Sequence, residues 1–343
     1  MTILRFLRLS AHIQMLPILE SGEETLVGGQ AVMEGVMMRA PHSYCVAVRK
    51  ANGEIVTEEQ PIQKVSEKYP LFKKPVLRGL GTLGQAMTLG YKALKFSANA
   101  ALDETPAKPA GEAVATSPAA SEAKKEEKPA EISNWMMTGN LIFSLGFFIF
   151  LYKFVPLFLA TQLGKAVPSL SGRFATNMTD GVIRMAIFLT FLFLLSLMKD
   201  IRRVFEYHGA EHKVVFNYES GKPVNVENAQ KFVTFHPRCG TSFLLVVMTI
   251  SMIVYALVPV DGFLAKFLAR IALLPVITGL SYELIRFAAK RQGTLMGMLS
   301  VPGLWLQRIT TKPPDNSEAA VAIRALEGAM ELEKSQGGEL VIA

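Results

Sequence analysis

Apolar side chains along this chain recur in three rhythms, and each rhythm predicts a different kind of element. Between residues 26 and 61 the pattern is short and strand-like. Residues 43–50 alternate apolar and polar side chains, Asn52-Gly53 is a strong hairpin turn, and residues 54–58 can return as a second strand. Gly28, Gly29 and Gly35, just upstream, predict tight turns or close backbone packing. Between residues 75 and 101 the spacing becomes helical. Val76, Leu80, Leu83, Met87, Tyr91, Leu94 and Ala98 recur along one face, with Arg78, Lys92 and Lys95 among them. This amphipathic helix is expected to pack on a core rather than lie in lipid.

The third rhythm is a set of long apolar runs at about 137–163, 182–198, 241–258 and 263–287. A helix of roughly 18 residues covers about 27 Å, near the thickness of a bilayer's hydrocarbon core. The third run has no charge, whereas the fourth carries Lys266, Arg270 and Glu283. Residues 294–310 contain Pro302 and Gly303 and are too short for a confident span, so a re-entrant or interfacial segment is expected. After Pro314 the sequence reads as polar linker followed by a short surface helix at 318–334.

Two polar segments complete the layout. Residues 103–133 are rich in Ala, Pro, Glu, Lys and Ser and hold no aromatic residue, which predicts a disordered linker. Residues 1–25 form a poorly ordered leader in which Arg8, His12 and Gln14 interrupt the apolar positions. The expected fold is an α-helical integral membrane bundle of about four spans with a small α+β soluble N-terminal portion. Its units are the leader 1–25, a cytoplasmic α+β portion 26–102, the linker 103–133, a bundle 134–311 with a loop at 201–240, and a tail 312–343.

Composition agrees with a membrane protein. Half of the 343 residues are hydrophobic and only 19% are charged, and the mean hydropathy is +0.29. The net charge of +7 is assigned to basic residues flanking the spans beside anionic lipid, so no specific nucleic-acid partner is predicted. Arg202, Arg203, Lys213, Lys222, Lys231 and Arg238 fall between the second and third runs; Lys290, Arg291, Arg308 and Lys312 follow the fourth. The positive-inside rule then places that loop and both termini in the cytoplasm, in a multi-pass protein of the plasma membrane. The partners implied are the lipid bilayer and a protein at its cytoplasmic face. Two cysteines imply no disulfide framework.

Candidate chemistry concentrates in the 201–240 loop. It holds three of the five histidines, His208, His212 and His236, together with Cys239. His208 and His212 are four residues apart, on one face if the second span continues as a helix. His236 and Cys239 flank Pro237 and Arg238 in a segment suited to a tight turn. Three imidazoles and one thiolate are a ligand set typical of zinc or a similar divalent metal. His208-Gly209-Ala210-Glu211-His212 also has the form His-x-x-Glu-His, in which the histidines bind metal and the glutamate, here Glu211, activates water. A closed four-ligand site would be structural; an open one would be catalytic. Histidines at a membrane interface also cap helices or bond headgroups, and Cys239 can simply pack.

Glu283, Glu34 and Arg39 are accessory candidates. Glu283 reads either as a group reaching the histidine cluster or as the partner of Arg286 one turn on. Glu34 and Arg39 flank a Gly- and Met-rich turn, where a surface salt bridge is the simpler account.

The segment from Gly28 to Arg39, GGQAVMEGVMMR, resembles the start of the YqhQ-type bacterial membrane proteins. YHGAEHK at 207–213, HPRCGTS at 236–242 and PGLWLQR at 302–308 look like the family's later signatures. The resemblance spans about residues 27–311. The 103–133 linker departs from the family's core and reads as an insertion. The resemblance implies a membrane protein of unknown biochemical function, of a kind labelled predicted metal-dependent enzymes. Two expectations follow: a membrane-embedded metal-dependent enzyme, such as a hydrolase, at the cytoplasmic face, or a non-catalytic membrane factor whose metal or hydrogen-bonded knuckle docks a partner.

Overall fold

The computed structural model describes residues 27–102, 134–236, 239–289 and 301–335. The expected leader, the expected linker, the first half of the 294–310 segment and Arg238 lie outside the described residues.

Strands β1 (Gly28–Val32), β2 (Gly35–Arg39), β3 (Ser43–Arg49) and β4 (Ile55–Pro61) form one antiparallel meander in that order. The β1–β2 hairpin closes with Val32 opposite Gly35, and Glu34 in the turn takes a positive φ of 52°. At the β3–β4 end Gly53 adopts φ 88° and the Glu54 N–H donates to the Asn52 side chain at 2.9 Å, as the Asn-Gly pair predicts. β2 and β3 are covered on both faces, which explains why their residues are almost continuously buried.

One face packs on α1 (Leu77–Leu102) through Val32, Met37, Tyr44, Val46, Leu89 and Ala93. α1 is therefore a core helix, but the face it buries against the sheet carries Leu89, Ala93 and Ala100 rather than the predicted stripe, of which Met87 and Leu94 are exposed. The other face packs on residues distant in sequence: Tyr207, Ala210 and Val214, and then Val321, Ala322, Ala325 and Ala329.

The bundle follows. α2 (Asn134–Ile149) runs through a π-helical turn at Phe150–Phe154 into α3 (Val155–Ala166). Pro156 explains the irregularity, because it has no N–H to offer the carbonyl of the preceding turn. α4 (Arg173–Ser196), α7 (Gly240–Leu257) and the pair α8 (Phe263–Ala272) and α9 (Leu274–Ala289) complete it. Between α4 and α7 come α5 (Lys199–Glu219) and the short α6 (Val226–Gln230). Among the described residues three helices are long and apolar enough to cross a membrane, or four if the α8–α9 pair, bent by 48°, counts as one span. The expected fold class holds. α4 begins nine residues before the predicted run at 182, because Arg173, Asn177 and Asp180 lower the apolarity of its first turns, although the bundle buries Asn177 and Asp180.

The end of the chain corrects the sequence reading. α10 (Val301–Thr310) packs on α7, with Gly303 against Ser242. The chain then crosses α5 at Gly209, where a Cβ would overlap the Lys312 carbonyl oxygen and the Lys312 N–H reaches the Phe205 carbonyl at 2.8 Å. It enters α11 (Asn316–Ser335), whose Ala- and Gly-rich face is buried against β2 and β3. The expected surface helix is a core element. Small residues let it approach closely: a Cβ on Gly328 would meet Cys45 Sγ at 2.7 Å. The layer beside the bundle thus joins the N-terminal sheet, α1, α5, α6 and α11, and both described ends of the chain lie in it.

Candidate metal centre

The site is built where α5 leaves the bundle. α4 ends at Ser196 and α5 starts at Lys199, so the predicted continuation of the span into the loop is broken only at Leu197-Met198. The middle of α5 is buried between the sheet, α6 and α11, although it carries Glu211, His212, Lys213 and Asn217. Buried polar groups need partners, and these side chains find them, with Asn217 Oδ1 alone among their polar atoms lacking a hydrogen bond among the described residues. Lys213 donates to the Gln230 carbonyl at 2.8 Å, and Asn217 to the Lys222 carbonyl at 3.2 Å.

His208 and His212 point the same way, with ring centroids 4.5 Å apart. His208 Nδ1 lies 2.8 Å from the Thr310 carbonyl oxygen, and His212 Nδ1 bonds the Thr234 carbonyl. A carbonyl oxygen only accepts, so each Nδ1 carries a proton and Nε2 is the nitrogen that each ring can offer to a metal. That is the second contact by which a metal-binding histidine is fixed in tautomer and direction.

Cys239 comes from the other side, as the N-cap of α7. Its Sγ is 3.3 Å from His208 Nε2 and 3.2 Å from Thr241 Oγ1, and it accepts from the Thr241 N–H at 3.5 Å. One ligand atom each from His208, His212 and Cys239 all lie within 4.8 Å of one another. Around a tetrahedral zinc with bonds of about 2.0–2.3 Å, ligand atoms stand roughly 3.3–3.6 Å apart. The three therefore fit one ion after a contraction of about an ångström.

Glu211 belongs to the same place. It lines a cavity of about 430 Å³ together with His208, His212, His236, Cys239 and residues 27–31 of the β1 edge. Its Oε1 accepts from the Gly29 N–H at 3.0 Å. Gly29 must be glycine, because a Cβ there would sit 2.9 Å from Glu211 Cγ and collide with the Met37 carbonyl. Burial pushes the Glu211 carboxyl above its ordinary range, against the opposing pull of His208, His236 and the Gly29 N–H. Burial likewise lowers His212 and takes His236 down to about 4.

His236 stands beside the trio rather than in it. Its ring lies 5.4 Å from His212 and 4.6 Å from Phe216. Its Nε2 is 3.7 Å from Glu219, and with His236 held neutral by burial this is a polar contact and not an ion pair. Its backbone is clamped by Gln307, which accepts from the His236 N–H at 2.7 Å and donates to its carbonyl at 2.8 Å.

The accessory residues lie elsewhere. Glu283 is paired with Arg78 through both carboxylate oxygens and accepts from the Val76 N–H at 3.1 Å. Val76 carries a positive φ of 69°, unusual for a β-branched residue, so Glu283 stabilises a strained entry to α1. Glu34 pairs with Arg203 and meets the Tyr207 hydroxyl at 3.3 Å, while Arg39 donates to Gln85 at 3.0 Å. Neither pairs with the other, as the salt-bridge reading supposed. The sequence reading assigned Gly29 close packing but no part in the site, and passed over Thr241 and Gln307; all three support it. Glycine pairing at 28–29 and the glutamine of the 302–308 motif were the available signals.

These features define a multi-pass membrane protein with a histidine–cysteine cluster where one helix leaves its bundle and another begins. The chain belongs to the family described as Protein of unknown function (DUF1385), which residues 74–332 match. It is 35% identical over 311 residues to the Uncharacterized protein YqhQ of Bacillus subtilis (strain 168), covering 89% of this chain and 92% of that protein. No solved structure matches the chain. The chemistry of the site therefore rests on its geometry.

Proposed function

We propose that the protein is a membrane-embedded metal-dependent hydrolase acting at the cytoplasmic face of the plasma membrane. His208, His212 and Cys239 hold a zinc-like ion, Glu211 is the general base, and His236 borders the site. The observation that carries this reading is the approach of three ligand atoms to within 4.8 Å beside a buried carboxylate in the same cavity. Three ligands leave a tetrahedral position open, as catalytic zinc sites do. The bound ion would supply Lewis acidity and an acidified water. The chain supplies the proton acceptor: Gly29 anchors Oε1 of Glu211, leaving Oε2 to hold a proton, and the raised pKa suits Glu211 to both take and return one. The cytoplasmic side follows from the basic residues at 202–238 and 290–312.

A second reading is favoured by the His208–Cys239 contact at 3.3 Å, which needs no ion. In it the knuckle braces a docking surface for a cytoplasmic or membrane protein. Metal analysis of purified wild type, Glu211→Gln and His208→Ala, combined with comparison of extracts from cells making each, separates the two. The hydrolase reading predicts that Glu211→Gln keeps its metal and accumulates a species that purified wild type consumes. Full metal with identical extracts would overturn the hydrolase and leave the docking knuckle. Metal-free wild type would overturn the ion itself.

A further inference from the structure

The spans carry a second polar cluster that the centre on α5 does not use. Asp180 and Arg184 of α4 and Arg270 of α8 are 0%, 3% and 2% exposed. Asp180 bridges the two arginines, bonding Arg184 with one oxygen and Arg270 with the other. Arg270 also donates to Asn177 at 2.8 Å, and Arg184 to Ser251 at 2.6 Å. Lys153, in the π turn between α2 and α3, donates to the Tyr255 hydroxyl at 3.0 Å, and that hydroxyl donates to the Arg270 carbonyl at 3.1 Å. All three cations surround the Tyr255 ring, 5.1–5.3 Å from its centroid. Ser251 and Tyr255 lie 12 and 16 residues past Cys239 along the helix that starts there, or about 18–24 Å away.

The cluster is unbalanced. Arginine keeps its proton in proteins, so two arginines against one aspartate leave one positive charge whatever the state of Lys153. With Lys153 protonated the excess is two. No other acidic side chain among the described residues bonds this group. A ring quadrupole attracts cations but is not a counter-charge. Excess charge in the hydrocarbon region is costly and marks function by default. Two further observations point to a ligand. Arg184 Nε is buried with no hydrogen-bond partner among the described residues. The helices are also irregular here, with a π turn at Lys153 and the 48° bend just after Arg270, and broken helices build binding sites inside bundles.

We propose that this cluster binds one phosphate group inside the bundle, through the guanidinium of Arg184 and the ammonium of Lys153. A phosphate carries one or two negative charges, which matches the excess, and guanidinium and ammonium groups are its usual partners. The group belongs either to an anionic phospholipid headgroup or to a free phosphate. The site is independent of the metal reading, since none of its residues touches the centre on α5.

The test uses full-length protein in phosphatidylcholine nanodiscs, followed by its melting midpoint. One arm adds phosphatidylglycerol to the disc. The other adds inorganic phosphate to the buffer, against chloride at equal ionic strength. A rise with phosphatidylglycerol alone identifies the lipid source, and a rise with inorganic phosphate identifies the free anion. Lys153→Met should weaken the apparent affinity for the effective probe by roughly tenfold or more, while Lys153→Arg retains it. His208→Ala should respond as wild type does. The proposal is overturned if neither probe raises the wild-type midpoint above chloride, or if Lys153→Met responds like wild type.

Discussion

The two polar clusters of this molecule are both buried, yet they are built on opposite principles. At the α5 centre burial works against charge. Burial lowers His212 and His236 and raises Glu211, and backbone carbonyls hold the imidazoles in one tautomer. In the spans, Asp180, Arg184 and Arg270 form a tight ionic network in which the cations outnumber the anion. Neutral lone pairs aimed at one point suit a cation; fixed positive charge suits an anion. The contrast predicts that removing a charge is far more damaging in the spans than at the centre.

The sharpest break of that contrast is Asp180→Ala. Removing the bridge leaves two buried guanidiniums without their carboxylate, which should cost about 3–5 kcal/mol. We expect little folded protein to accumulate, measured by yield and by thermal unfolding in detergent. A near-neutral effect would mean that the network is not the anchor of α4, α7 and α8. Next in size is Gly209→Val, which drives a side chain into the Lys312 carbonyl where the chain crosses α5. A loss of about 1–3 kcal/mol is expected from overpacking. It should also disturb Thr310, whose carbonyl orients His208.

A smaller effect is expected at Glu333, away from both clusters. It accepts from the His42 N–H at 2.9 Å and from the Ser43 hydroxyl at 2.9 Å. Burial pushes its carboxyl up, but these bonds and His42 outweigh burial and hold it below its ordinary range. A group depressed on folding adds stability that is present above its unfolded pKa and lost as pH falls through the folded value. Glu333→Gln should therefore cost about 1 kcal/mol at neutral pH, and the gap to wild type should close in acid. An unchanged gap at low pH would contradict the assignment. The smallest stability effect belongs to Glu211→Gln. The amide oxygen can still accept from Gly29, so the change should stay below about 1 kcal/mol by denaturant unfolding.

Much of this architecture was legible in the residues. Long apolar runs marked the spans, Asn52-Gly53 marked a hairpin turn, and the density of histidine in the 201–240 loop marked the centre. What was hidden has a physical cause in each case. Asp180, Arg184 and Arg270 look like breaks in an apolar run, and only the packing of several helices makes them a network. α11 looks like a surface helix because its buried face is alanine and glycine rather than leucine, and small residues signal close approach only once the sheet is in place. Gly29 meets Glu211 across 182 residues of sequence, a distance that no local pattern reports. His236 sits three residues from Cys239 with a ligand's chemistry, but Gln307 fixes its backbone, and its ring packs between His212 and Phe216, tilted to both.

The most direct test of the account is the metal content of the purified full-length protein, measured by inductively coupled plasma mass spectrometry on wild type, Cys239→Ser, His208→Ala and Glu211→Gln. The account predicts about one zinc-like ion per chain in wild type and in Glu211→Gln, and a severe loss in His208→Ala and Cys239→Ser, since each removes one of three ligands. Metal-free wild type, or full occupancy in both ligand variants, would contradict it.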